Sequence, residues 1–168
     1  MYVNDLNKMD ETEFVDQLGS IFEQSPWIAQ KALRYRPYTS LEDLYQRMCE
    51  IVHNATEAEK LELIRSHPNL GERVKMSQES VNEQTSAGLK NLTKEEYDNF
   101  HLLNQRYIDK FQFPFIFAVK GKKKTDIMQA MLLRVEEEET KEFQTALSEI
   151  FKIAKFRLDE KFNSHFIC

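Results

Sequence analysis

The chain is predicted to fold as an all-α, single-domain bundle of about eight helices with one buried extended connector. Three observations predict it. Only four glycines and four prolines interrupt 168 residues, so few backbone positions break a helix. Apolar residues recur at three- and four-residue spacing along most of the chain, the period of a helix rather than of a strand. Capping signatures stand ahead of these stripes, where the first backbone N–H groups of a helix lack partners. The domain is expected over residues 1–162 with a flexible tail at 163–168, and no repeat or low-complexity linker divides it.

Each element has a local cause. Asp10-x-x-Glu13 is a capping box ahead of Phe14, Leu18, Ile21 and Phe22. Ser25-Pro26 reads as N-cap and first residue of a second helix, which stops by Arg36 because Pro37 follows. Ser40 caps a third helix with Leu41, Leu44, Tyr45, Met48, Ile51 and Val52 on one stripe. Thr56-x-x-Glu59 opens a fourth, which ends at His67-Pro68. Ser77 caps a fifth running to about Ala87, with Gly88 as its stop. Thr93-x-x-Glu96 opens the longest pattern, through Tyr97, Phe100, Asn104, Tyr107, Ile108 and Phe111, and Pro114 breaks it. Phe115 to Val119 has strand-like composition without a partner strand, hence the buried connector. Thr125 caps a helix over Ile127, Met131 and Leu132, and the last helix, from about Thr140, carries Phe143, Leu147, Ile150, Ala154 and Leu158.

Composition excludes several functions. With 23 basic and 28 acidic residues the net charge is −5, a poor match to nucleic acid, whose phosphates need a basic footprint. The run Lys120, Lys122, Lys123 and Lys124 around Gly121 reads as a solvated loop. Cys49 and Cys168 form no disulfide framework, and no zinc spacing occurs. The first residues lack the basic and apolar regions of a signal peptide, and no apolar run approaches the roughly 20 residues that span a bilayer. A reduced, soluble, cytoplasmic protein is expected.

Four features could carry chemistry. His67 precedes proline, which drives it out of the helical region, so its imidazole is expected to stand exposed beyond the last turn. Histidine suits proton transfer near neutrality; the plain alternative is a surface histidine at a helix end. Ser80, Glu83 and Gln84 stand at i, i+3 and i+4, so a helix places a hydroxyl, a carboxylate and an amide on one face. That set suits a ligand rich in urea-like N–H and C=O groups, or is a solvated face. Arg157 lies at the edge of the last apolar stripe and needs an anion or carbonyls, supplied by a ligand or by a glutamate. The connector around Phe113-Pro114-Phe115-Ile116-Phe117 leaves backbone N–H and C=O groups available to a ligand, alongside ordinary core packing. Two further readings of the chain compete with a small-molecule site. Glu50-x-x-His53 and Asp98-x-x-His101 have the one-turn spacing of di-metal carboxylate bundles, without clear further inward carboxylates. A non-catalytic helical interaction module would tolerate changes at Ser80, Glu83 and Gln84.

Taken together, the motifs resemble the 2-oxo-4-hydroxy-4-carboxy-5-ureidoimidazoline (OHCU) decarboxylases of urate degradation. The matching pieces are Ser25-Pro26-Trp27, Arg36-Pro37-Tyr38, Ser66-His67-Pro68-Asn69-Leu70 and Ser80-x-x-Glu83-Gln84-x-x-Ala87-Gly88-Leu89. They continue through Leu103-Asn104-x-x-Tyr107-x-x-Lys110-Phe111-x-Phe113-Pro114-Phe115-Ile116 to Glu142, Ala146 and Arg157-Leu158. The resemblance implies an all-helical, homodimeric lyase that forms (S)-allantoin from a small ureidoimidazoline without metal or organic cofactor. It implies His67 as the catalytic residue and Ser80, Glu83, Gln84 and Arg157 as substrate-binding. It implies too that Pro68 shapes the pocket, that backbone groups of Phe115 and Ile116 contact the substrate, and that Trp27 lines the cavity. His67 exchanges a proton with the substrate hydroxyl or delivers one to carbon after CO2 leaves; both roles stand. Related domains occur fused ahead of a urate oxidase, so a functional or covalent link to that enzyme is compatible with this chain. One departure stands out: the family usually has glycine between the two phenylalanines, where this chain has Gln112. A non-glycine residue there costs about 1 kcal/mol if positive φ is needed, so a slightly shifted connector with retained activity is expected.

Overall fold

The computed structural model describes residues 1–70 and 92–163. Among the described residues the regular structure is wholly helical, as expected. The elements are α1 (Val3–Leu6), α2 (Glu11–Leu18), α3 (Trp27–Ala32) with a 3₁₀ extension (Leu33–Tyr35), and α4 (Leu41–His53). They continue with α5 (Glu57–Ser66), α6 (Lys94–Phe111), α7 (Lys124–Arg134) and α8 (Glu139–Asn163). The expected helix over 77–87 and residues 164–168 of the expected tail lie outside the described residues.

Local acceptors set most helix starts. Asp10 Oδ1 accepts from the Glu13 N–H at 2.9 Å, and Glu13 Oε2 accepts back from the Asp10 N–H at 3.3 Å. Ser40 Oγ accepts from the Asp43 N–H at 3.0 Å. The Thr56–Glu59 and Thr93–Glu96 pairs close the same reciprocal box. Two starts differ from expectation. The Ser25 hydroxyl donates to the Glu23 carbonyl at 2.9 Å instead of capping, and α3 begins at Trp27. Asp126 accepts from the Lys123 N–H at 2.8 Å, drawing the start of α7 ahead of Thr125. The short α1 has too few apolar residues to show a period.

The chain forms two compact units, Met1–Ser66 with Ile150–Cys168 and His67–Glu149. In the first, Phe14, Phe22, Leu44, Met48 and Leu63 are fully buried. Its Arg36-Pro37-Tyr38 segment is a structural clasp. Asn7 holds both backbone groups of Tyr38, donating to its carbonyl and accepting from its N–H, each at 2.8 Å. The Arg36 guanidinium donates to the carbonyls of Leu6 at 3.2 Å and Met9 at 2.6 Å, tying the segment to the end of α1 and the turn after it. The Tyr38 hydroxyl donates to the Ala32 carbonyl at 2.5 Å, and burial pushes that phenol up to about 12.

The second unit gathers α6, the connector, α7 and the N-terminal part of α8. Phe100, Tyr107, Phe115, Ile127 and Met131 form its buried centre. The connector is without regular structure and buried at Phe115, Ile116, Ala118 and Val119, as expected. Among the described residues no helix is long and apolar enough to cross a membrane.

Candidate active site

His67 lies where α5 stops: Ser66 is its last residue and Pro68 forbids another turn. The imidazole is not exposed as expected; only 6% of the residue is accessible. Leaving helical geometry does not mean leaving the core, because the chain enters the second unit at this residue and Leu70 is buried as well. Pro68 and Asn69 are half-buried. A buried imidazole is shielded from bulk water, the setting in which one proton can be directed to one face of a bound molecule.

Tyr107 and Phe117 flank the Phe115 ring in the connector, at centroid distances of 5.2 and 6.0 Å. The Arg134 guanidinium lies over the same ring at 4.4 Å. The Ile116 carbonyl accepts from Arg134 at 2.6 Å. Among the described residues, the N–H groups of Phe115, Ile116 and Phe117 donate to no acceptor. Buried donors of this kind need a partner.

Behind the connector is a buried polar network absent from the sequence-based expectations. Arg134 Nε donates to Glu142 Oε1 at 2.7 Å, and the Tyr107 hydroxyl donates to the same oxygen at 2.5 Å. A second guanidinium nitrogen ion-pairs with Glu142. Glu142 is fully buried and Arg134 nearly so. Burial, and then the carboxylate beside it, pushes the Tyr107 phenol well above its ordinary value, so it remains a donor. One sequence signal could have found the pair. Glu142 falls in the four-residue row Glu142, Ala146, Ile150, Ala154, Leu158, so its carboxylate points to the apolar side of α8.

Gln112 holds the left-handed position that glycine occupies in the resembled pattern, with φ 61° and ψ 27°. Its backbone N–H donates to the Ile108 carbonyl at 2.8 Å, and its side-chain amide donates to the Asp109 carbonyl at 2.8 Å. The side chain thus covers carbonyls at the end of α6 that glycine would leave to water. Gln112→Gly is expected to change stability by no more than about 1 kcal/mol, because relief of the left-handed strain offsets the lost bonds. Gln112→Val keeps the strain, adds β-branching and removes the bonds, so a loss of about 2 kcal/mol is expected. Thermal melts of the two variants check the order; a valine variant melting with the wild type would contradict it.

Arg157, on α8, belongs to the first unit. It donates to the carbonyls of Ser20 at 3.2 Å and Ile21 at 3.3 Å and to Glu23 Oε2 at 2.8 Å. These bonds engage three of the five guanidinium donors. Ser20, Ile21, Glu23, Arg157, Glu160 and Lys161 line a cleft of about 450 Å³ there. Trp27, in the same unit, is half-buried with Lys31 Nζ 5.2 Å from its ring. Ser80, Glu83 and Gln84 lie outside the described residues.

Three of the four side chains in the carboxylate–histidine pairs of the rival metal reading are otherwise engaged. Glu50 pairs with Arg47 at 2.9 Å, and His53 packs on the Phe151 ring at 4.9 Å. His101 meets the Tyr97 ring edge-on at 4.3 Å. Among the described residues no three side chains form a group that could hold a metal. Burial pushes the Cys49 thiol up to about 11, which keeps it protonated and a poor nucleophile near neutrality.

A family model described as OHCU decarboxylase matches residues 7–159. A uric acid degradation bifunctional protein of Bacillus subtilis is 52% identical over 156 residues, covering 93% of this chain and 32% of that protein. A 2-oxo-4-hydroxy-4-carboxy-5-ureidoimidazoline decarboxylase of Halalkalicoccus jeotgali is 47% identical over 158 residues, covering 94% of this chain and 90% of that protein. A crystal structure of (S)-allantoin synthase matches with a TM-score of 0.80 at 30% identity, covering 96% of this chain and 54% of that one. The chain therefore spans about a third of its bifunctional relative and most of the Halalkalicoccus protein.

Proposed function

The chain belongs to the OHCU decarboxylase family, and on that premise we propose that it decarboxylates 2-oxo-4-hydroxy-4-carboxy-5-ureidoimidazoline to (S)-allantoin. The observation that supports this reading most is the buried His67 beside Pro68, in the same unit as a connector whose backbone donors at 115–117 have no acceptor among the described residues. The chemistry matches a site of that kind. Loss of CO2 leaves an electron pair, and the substrate's own imine, next to the carbon that loses CO2, accepts it. The ring nitrogen gains the charge, the neighbouring carbon is then protonated, and the hydroxyl becomes the ring carbonyl. The protein has to orient the carboxylate, exclude water and direct one proton to one face.

His67 is the proton-transfer residue in this reading, either taking the hydroxyl proton or delivering one to carbon. Pro68 shapes the pocket wall, and the backbone groups of Phe115 and Ile116 meet the ring or the ureido arm. Ser80, Glu83 and Gln84 grip the ureido arm, on the strength of their i, i+3, i+4 spacing. Arg157 binds a ring carbonyl or the carboxylate with the donors that Ser20, Ile21 and Glu23 leave over. No cofactor is required, because the substrate carries its own electron sink. We place the enzyme in the cytoplasm as a homodimer. The partial coverage of the bifunctional relative supports a link, covalent or functional, to a second activity of urate breakdown, for which urate oxidase is our candidate.

The test is the handedness of the product, since the substrate also decays spontaneously. Substrate is generated from urate with urate oxidase and hydroxyisourate hydrolase, this chain is added, and circular dichroism is followed. Accumulation of (S)-allantoin is expected. Racemic product at the uncatalysed rate would overturn the proposal.

A further inference from the structure

Among the described residues the connector has no ladder of backbone hydrogen bonds, so the orientation of its peptide planes must come from elsewhere. Arg134, the last residue of α7, supplies one fixed point. Its guanidinium reaches three partners at once: Glu142 at 2.7 Å, the Ile116 carbonyl at 2.6 Å and the Phe115 ring at 4.4 Å. Tyr107 holds Glu142 from the opposite helix at 2.5 Å, so the carboxylate that aims the arginine is itself anchored. Apolar side chains of similar volume usually stabilise a core as well as a buried ion pair does, so stability alone does not account for placing two charges here. The Ile116–Phe117 peptide is planar and trans, which sets its C=O and N–H on opposite sides. Holding the Ile116 carbonyl on Arg134 therefore aims the Phe117 N–H the other way, among the connector donors that have no acceptor in the described residues.

We propose that Arg134 is a positioning residue for substrate: by holding the Ile116 carbonyl it fixes the connector peptides that meet the ureidoimidazoline. The inference rests on the function proposed above and adds to it a residue that touches no reacting atom. Lysine at this position keeps a charge for Glu142 but cannot reach Glu142, Ile116 and Phe115 together, because it lacks the planar fork.

The test is Arg134→Lys in the full chain, with two readouts. In steady-state kinetics KM is expected to rise about tenfold, the order set by one lost hydrogen bond from a charged donor, with kcat within about threefold because the proton-transfer residue is untouched. In amide hydrogen exchange, which needs no substrate, residues 113–119 are expected to exchange faster while the middle of α6 keeps its protection. Ile127→Val, a core change on α7 outside the network, serves as the control for general loosening and should leave KM unchanged. An Arg134→Lys variant with wild-type KM and wild-type exchange at 113–119 overturns the inference. So does an equal rise in KM for Ile127→Val at a similar loss of Tm. If Arg134→Lys fails to fold, Tyr107→Phe, which keeps the packing and removes one anchor of Glu142, should raise KM and local exchange in the same direction, and no change in either overturns the inference. If the wild type forms no (S)-allantoin, the function fails, and the exchange readout still decides whether Arg134 orders the connector.

Discussion

His67→Asn is expected to lower the rate of (S)-allantoin formation by about 10²–10⁴-fold, the range that one positioned proton-transfer group contributes. Asparagine is the informative replacement because the imidazole is buried. Alanine would leave a cavity, mixing a stability loss of about 2–5 kcal/mol into the result. With asparagine the Tm should stay within a few degrees of wild type while the dichroic signal of the product falls to that of spontaneous decay. The two roles open to the histidine separate in the same experiment. A variant that still consumes substrate but yields racemic allantoin would place His67 at the protonation of carbon. A variant that neither consumes substrate faster than the blank nor controls its handedness would place it at the hydroxyl. Full stereospecific turnover in the folded variant would remove His67 from the chemistry.

Glu142→Leu should produce the largest stability change in the second unit, a loss of about 3–5 kcal/mol, because it strands the Arg134 guanidinium in a buried site. Domains of this size are stable by roughly 5–15 kcal/mol in total, so the variant should unfold at a much lower urea midpoint. The cost lies in the uncompensated charge rather than in a lost attraction, and a second substitution tests that directly. Glu142→Leu with Arg134→Met removes both charges and keeps the volume, so most of the lost stability should return. Restored stability with a still-raised KM is the combination expected if the pair orders the connector. A double variant no more stable than Glu142→Leu alone would show that the site requires polarity for the fold itself.

Much of the fold was legible because its causes are local. The capping boxes at Asp10–Glu13, Thr56–Glu59 and Thr93–Glu96 each involve groups three residues apart, and they form as read. Pro37 and Pro68 end helices by the clash that proline imposes on the residue before it, whereas α6 leaves helical geometry at Gln112, ahead of Pro114. The misread starts of α3 and α7 arose where a hydroxyl or carboxylate had two acceptable neighbours. Ser25 chose the Glu23 carbonyl, and Asp126 chose the Lys123 N–H. The resemblance marked Gln112 as the position to test for a left-handed turn, and the side-chain bonds that make glutamine tolerable there were not legible.

Residue order along the chain determined the helical class, most helix ends, the irregular apolar connector and the His67-Pro68 junction, since each depends on interactions within about one helical turn. Burial and pairing were decided by the tertiary structure. The imidazole of His67 is inside because of where the chain goes next, and Arg157 meets Glu23 across 134 residues. Asn7 clasps Tyr38 across 31 residues, Arg134 reaches Ile116 across 18, and Tyr107 reaches Glu142 across 35. Contacts at such separations leave little periodic trace in a sequence, because a charged side chain on a helix reads as solvated until a partner from elsewhere in the chain makes its burial affordable.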